Sequence, residues 1–172
     1  MVKDWLRNVP VAHRGLHDIG AGVPENSRAA FQAAIAAGYA IECDVRLSAD
    51  REAVVFHDAD LKRLTGAEGR ADALSAAALT KLPLLGTTET PPLFSDLLEL
   101  VSGKGPLLIE SKNYGDEPAE PLCDVVWAQL RTYTGEYAVQ SFSPQVVAWF
   151  RDHASHVPRG QIATDPAELK SL

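Results

Sequence analysis

Apolar and polar side chains alternate through Ala40-Ile41-Glu42-Cys43-Asp44-Val45. That pattern predicts a β-strand with Ile41, Cys43 and Val45 on one face and Glu42 and Asp44 on the other. Upstream, Val9–Ala12 reads as a short strand ending in His13-Arg14-Gly15, followed by a Gly-rich polar loop to Val23. Pro24-Glu25-Asn26-Ser27 opens a helix over residues 28–37, with Asn26 as its expected N-cap, Phe31, Ala34 and Ile35 on its apolar face, and Gly38 as its stop. Ala53–Phe56 is a third strand running into His57-Asp58. No strand pattern occurs from Leu61 to about Thr90, where a short helix is expected within residues 71–85.

The alternation then resumes. A helix capped at or near Ser95 covers residues 96–101, and Pro106–Ile109 is a strand leading to Glu110-Ser111-Lys112. A helix spans about Glu120–Tyr133, a strand Tyr137–Val139 leads to Gln140, a helix spans Pro144–His153, and a sixth strand lies within Val157–Ile162. Residues 165–172 amount to at most one helical turn. Strand and helix repeat as a unit, which argues for a parallel sheet. Most strands end in polar residues (His13, Asp44, His57, Glu110, Gln140), as expected at the rim of a (βα)8-type TIM barrel. An open doubly wound sheet would gather its chemistry at one switch point, and the chain has no dinucleotide glycine fingerprint. The expectation is one α/β barrel domain over residues 1–172, with about six βα units and an insertion at about 61–90. A barrel of this type takes about 250 residues, so two strands are expected to be missing. A further segment or an oligomeric partner would then complete it.

Composition changes this picture only at its margins. The 172 residues are 46% hydrophobic and 23% charged with a net charge of −7, an ordinary globular balance that disfavours nucleic acid and anionic membrane as partners. An anionic substrate would therefore need a locally basic or metal-bearing site. Cys43 and Cys123 form no CxxC pattern or disulfide framework. The first residues lack the apolar core of a secretory signal, and no apolar run approaches the roughly 20 residues that span a bilayer, so a cytoplasmic protein without a stable membrane anchor is expected.

Two carboxylates on one strand face repel each other and invite a hard cation. Glu42, Asp44 and Glu110 together offer oxygen ligands for one Mg²⁺ or Ca²⁺. His13 and His57, at the ends of different strands, can serve as general base and general acid, while Arg14 and Lys112 offer positive charge to a phosphate. Taken singly each has a simpler explanation: a strand-end cap, a surface turn, mutual neutralisation of Glu110 and Lys112, or a first-turn acid at Glu25.

The ordered series His13-Arg14-Gly15, Pro24-Glu25-Asn26-Ser27, Glu42-Cys43-Asp44-Val45, Val55-Phe56-His57-Asp58, Arg63-Leu64-Thr65-Gly66, Leu108-Ile109-Glu110-Ser111-Lys112 and Val139-Gln140-Ser141-Phe142 resembles the glycerophosphodiester phosphodiesterase family over about residues 9–143. The resemblance implies a TIM barrel that hydrolyses glycerophosphodiesters, as small-molecule substrates, to glycerol 3-phosphate and an alcohol with one divalent cation. It matches His13 and His57 to the acid/base pair and Glu42, Asp44 and Glu110 to the metal ligands. Arg14 and Lys112 fall on phosphate contacts, Glu25 beside the metal or the glycerol, Gln140 on the substrate side, and residues 61–90 on the insertion over the site mouth. The family's last strand, with its tryptophan-bearing stretch, has no counterpart after Ile162. The alternative is a truncated barrel that keeps metal and phosphate binding with weak or no turnover.

Overall fold

The computed structural model describes residues 3–113 and 117–165; the turn expected within 165–172 lies outside them from Pro166 on. The strands are β1 (Val11–Ala12), β2 (Ala40–Leu47), β3 (Ala53–Val55), β4 (Leu107–Ser111), β5 (Tyr137–Ser141) and β6 (Arg159–Gln161). Around them lie α1 (Trp5–Asn8), α2 (Arg28–Ala36), α3 (Lys62–Thr65), α4 (Ala76–Leu79), α5 (Phe94–Val101), α6 (Glu120–Leu130) and α7 (Pro144–His153). One six-stranded sheet runs β1-β2-β4-β5-β6, all neighbours parallel, with β3 also paired to β2.

The alternation read from the sequence becomes two chemically distinct sheet faces. Ile41, Cys43, Val45, Leu107, Ile109 and Val139 point outward and pack under helices α2, α5, α6 and α7 through Phe31, Phe94, Val126 and Phe150, all fully buried. The opposite face carries Ala40, Leu108 and Ala138 at its lower level, where Trp5 of α1 covers them. Above that floor the same face changes from apolar to charged. Register brings Asp44 level with Glu110, and Glu110 level with Gln140.

β3 departs from the expected βα unit. It pairs antiparallel with β2 through Val45–Val55 and Leu47–Ala53, because the turn from Ser48 to Glu52 is far too short for the dozen or more residues a parallel crossover needs. Ser48 holds that turn, donating from Oγ to Asp50 Oδ1 (2.6 Å). The antiparallel return carries the chain back toward the rim, and Phe56 N–H donates to the Asp44 carbonyl at 3.0 Å. The insertion beyond it has its own small core of Val54, Phe56, Leu61, Leu64, Leu79 and Leu84, and its helices are single turns.

Two caps differ from expectation. Ser27 caps α2, accepting from Ala30 N–H at 3.1 Å, while Asn26 takes a left-handed backbone (φ 55) and turns its side chain to the rim. Helix α5 starts at Phe94, without a side-chain cap, because burying Phe94 anchors its first turn.

The turn after β1 is packed tightly against helix α2. Gly15 has φ +79, and a Cβ there would lie 2.8 Å from Ala30 Cβ and 2.9 Å from the Ala30 carbonyl carbon. Gly15→Ala is expected to lower unfolding free energy by about 2 kcal/mol or more, from left-handed strain plus overlap with α2. Urea unfolding midpoints check this; a change under about 0.5 kcal/mol would show that α2 shifts freely.

Candidate active site

Among the described residues, Glu42, Asp44 and Glu110 bring carboxylate oxygens within 4.8 Å of one another, all three buried. Strand geometry puts them there: Glu42 and Asp44 are two residues apart on β2, and Glu110 is the parallel partner of Asp44 on β4. Burial and the neighbouring Asp44 carboxylate push Glu42 up to about 8, against the Arg14 N–H that donates to its Oε2 at 2.9 Å. Asn26 Nδ2 donates to Asp44 Oδ2 at 2.7 Å, and Asp44 N–H donates back to Asn26 Oδ1 at 3.3 Å.

Lys112, just past the end of β4, sets its ammonium 3.0 Å from Asp44 Oδ1 and 2.5 Å from Glu110 Oε1. Burial works to lower its pKa, but the two carboxylates outweigh that and raise it. Lys112 thus serves one oxygen each of Asp44 and Glu110, while Glu42 Oε1 stays buried without a hydrogen-bond donor. The Lys112 ammonium and the Arg14 guanidinium, which Glu25 shares, leave the three carboxylates short of positive charge. A divalent cation would supply it, and hard oxygens are its preferred donors. The donor set therefore fits a divalent cation, and no nitrogen or sulfur ligand among the three argues for zinc.

Arg14 is turned by its positive φ (58) so that its guanidinium faces inward. Its Nη1 donates to Glu25 Oε1 at 2.7 Å, and its Nε lies 3.5 Å from Asp44 Oδ2. His13, at the end of β1, has its pKa lowered, chiefly by burial and then by Arg14, while Asp44 acts to raise it and His57 to lower it. His57 arrives by the β3 return. Its carbonyl accepts from Arg46 Nε (3.0 Å) and Nη2 (2.8 Å), and its Nδ1 lies 2.6 Å from Asp58 Oδ1. Gln140 stands level with Glu110, half-buried beside the cluster.

The residues singled out in the sequence thus meet at one rim. Sequence reasoning missed those that hold them: Asn26 on Asp44, Arg46 on the His57 carbonyl, Asp58 on the His57 ring, and Arg63 on both Asp58 and Glu25. Asn26, Asp58 and Arg63 belong to the ordered motifs of the family resemblance, which was the available signal. Arg46 was legible only as a cation continuing the acidic face of β2.

Burial works to raise Glu25, but hydrogen bonds from Arg63 and Arg14 outweigh it and hold the carboxyl at about 2. A carboxylate depressed in the folded state stabilises the fold above its unfolded pKa and loses that contribution as pH falls through its folded value. The window here runs from about pH 4.5 down to about 2. Between pH 6 and pH 3 the wild-type chain is expected to lose about 1–2 kcal/mol more stability than Glu25→Gln in urea unfolding, the solvent-exposed Arg63 reducing the full linkage value. Equal losses would place the ion pairs outside the stability balance.

A model of the Glycerophosphoryl diester phosphodiesterase family matches residues 13–171. The chain is 37% identical over 99 residues to a probable glycerophosphodiester phosphodiesterase 2 of Mycobacterium tuberculosis, a match spanning 55% of this chain and 36% of that protein. It is 42% identical over 65 residues to a glycerophosphodiester phosphodiesterase of Caldanaerobacter subterraneus, spanning 37% of this chain and 26% of the relative. The chain thus matches about a third or less of these relatives' own length. A solved structure of an Oleispira antarctica phosphodiesterase, in complex with the product sn-glycerol-3-phosphate, superposes with a TM-score of 0.83 at 25% identity, covering 97% of this chain and 72% of that one. A glycerophosphodiester phosphodiesterase from Agrobacterium tumefaciens superposes at 0.74 and 29%, covering 88% and 65%. The shared architecture is the TIM-type barrel, of which this chain matches a part. The family match begins at the histidine that ends β1, takes in every candidate site residue, and runs past β6: the chain belongs to the glycerophosphoryl diester phosphodiesterase family.

Proposed function

We propose that this chain hydrolyses glycerophosphodiesters to sn-glycerol 3-phosphate and an alcohol, with one Mg²⁺ or Ca²⁺ held by Glu42, Asp44 and Glu110. The observation that carries the reading is the buried carboxylate cluster, with the Glu42 Oε1 oxygen lacking a donor, beneath two strand-end histidines. Its support from relatives is the family match and the product bound by the Oleispira antarctica enzyme.

When bound, the cation supplies Lewis-acid neutralisation of the phosphoryl oxygens. Lys112 keeps its ammonium charged at the cluster and presents it to the same oxygens, stabilising charge as it develops. Arg14, clamped by Glu25, adds a fixed guanidinium at the mouth of the cluster. Of His13 and His57, one takes the proton of the attacking water or substrate hydroxyl and the other gives a proton to the leaving alkoxide. Asp58 is held at about 2, burial opposing but Arg63 and His57 prevailing, so it stays a carboxylate and accepts from the His57 Nδ1–H. That bond leaves Nε2 as the ring atom available for proton transfer. Gln140 stands where an amide can meet the glycerol or alcohol side of the substrate.

Assays of glycerol 3-phosphate release from glycerophosphocholine and glycerophosphoethanolamine are expected to show turnover that chelator abolishes and Mg²⁺ or Ca²⁺ restores. His13→Ala and His57→Ala should each lower kcat at least about a hundredfold. Calorimetric titration should show divalent-cation affinity falling tenfold or more in Asp44→Asn, a loss typical of disturbed metal sites. Full turnover in excess chelator would defeat the metal-dependent reading. Cation binding in folded protein that does not turn over would favour a chain that binds substrate without cleaving it.

A further inference from the structure

The motif Arg63-Leu64-Thr65-Gly66 has no part in the proposed chemistry, yet its arginine makes the densest set of ion pairs at the rim. Helix α3 is a single turn, fixed from beneath by Leu61 and Leu64 in the insertion core and closed at Gly66 with φ 73. Leu85 N–H donates to the Leu64 carbonyl at 2.7 Å, tying that turn to the far end of the insertion. With Leu64 buried, Arg63 points to the barrel side. Its Nε and Nη2 donate to Asp58 Oδ2 and Oδ1, both at 2.7 Å. Its Nη1 and Nη2 donate to Glu25 Oε2 and Oε1, both at 2.8 Å.

Each carboxylate passes the contact on. Asp58 holds the His57 ring at Nδ1. Glu25 holds the guanidinium of Arg14, a residue whose Nε lies beside Asp44 and whose backbone N–H donates to Glu42. One planar guanidinium therefore links the orientation of His57, through Asp58, to the carboxylate cluster, through Glu25 and then Arg14. An exposed arginine pairing with one acid contributes little. Four aligned hydrogen bonds to two carboxylates that themselves orient reacting groups are a different arrangement, and it needs the fork of arginine rather than the point charge of lysine.

We propose that Arg63 is a positioning residue: by bridging Asp58 and Glu25 it fixes the tautomer and orientation of His57 over the carboxylate cluster, making the insertion part of the reaction geometry. This rests on the reading of His57 as a proton-transfer group. Without the guanidinium, Asp58 can turn to solvent and His57 can exchange ring tautomers. Because Arg63 is half-exposed, with its side chain at 47%, removing it opens no buried void.

The test pairs ¹⁵N-resolved NMR of the histidine side chains at pH 8 with steady-state kinetics on glycerophosphocholine, for the wild-type chain, Arg63→Ala, Arg63→Lys and Asp58→Asn. His57 is expected to hold a single Nδ1–H tautomer in the wild type and a mixture in Arg63→Ala and Asp58→Asn. The kcat of Arg63→Ala should fall about 10- to 100-fold with KM changed less than about threefold, the cost of a misoriented proton-transfer group. Added guanidinium should restore part of it, and Arg63→Lys, which also covers the case of a poorly folding alanine variant, should recover only part. A retained single tautomer in the Arg63 variants, or a kcat within about twofold of wild type, overturns the proposal. If the wild-type chain shows no turnover, the hydrolase reading falls, and the tautomer alone decides whether Arg63 positions His57.

Discussion

Three carboxylates buried on one sheet face repel one another, and the rest of the rim is arranged around that repulsion. Burying like charges together is costly unless opposite charge and hydrogen bonds meet them. Here the compensation comes from four groups on three separate parts of the chain: the backbone N–H and the guanidinium of Arg14, the amide of Asn26 and the ammonium of Lys112. Arg14 and Asn26 both sit on left-handed backbone, with φ of 58 and 55. Non-glycine residues occupy that region at a cost, and they persist where the surrounding structure over-determines them. Asn26 N–H donates to the Arg14 carbonyl at 2.8 Å, so the two strained turns lock each other.

The sheet uses its two faces for different purposes. The outward face is a continuous apolar layer under helices, as parallel strands require. The inward face is apolar only at its floor, where Trp5 covers Ala40 and Ala138. One level higher it is charged. A parallel register with no slip between β2, β4 and β5 turns three separate strands into one row of Asp44, Glu110 and Gln140. His57 joins that row by another route. A tight antiparallel hairpin lays the chain back along β2, Arg46 pins the His57 carbonyl, and the small insertion core anchors the chain on the far side of His57.

Much of this was legible in the sequence, and for identifiable reasons. Period-2 alternation placed Glu42 and Asp44 on one face, because side chains of a strand alternate whatever the tertiary context. The helices were legible from apolar spacing, Gly stops and the Pro residues that open α6 and α7. The direction of β3 was hidden, since its three residues look alike in either orientation; only the shortness of the Ser48–Glu52 turn betrays it. The cap of α2 was misplaced by one residue because Asn and Ser are both good N-caps, and the tie was broken by Asp44, 18 positions away. Arg63 and Asp58 stood within family motifs and close in sequence, but the contact of Arg63 with Glu25, 38 positions away, depends on how the insertion folds back over the rim. No local pattern encodes that.

The proposed cation site and the proposed phosphate site share one rim, so one spectroscopic measurement reports on both. Electron–nuclear double resonance on protein loaded with Mn²⁺ tests them together. With sn-glycerol 3-phosphate added, the expected result is a ³¹P hyperfine coupling on the bound Mn²⁺ that disappears with Asp44→Asn. Mn²⁺ that binds without any phosphorus coupling, or that binds equally well after Asp44→Asn, would contradict the proposed site.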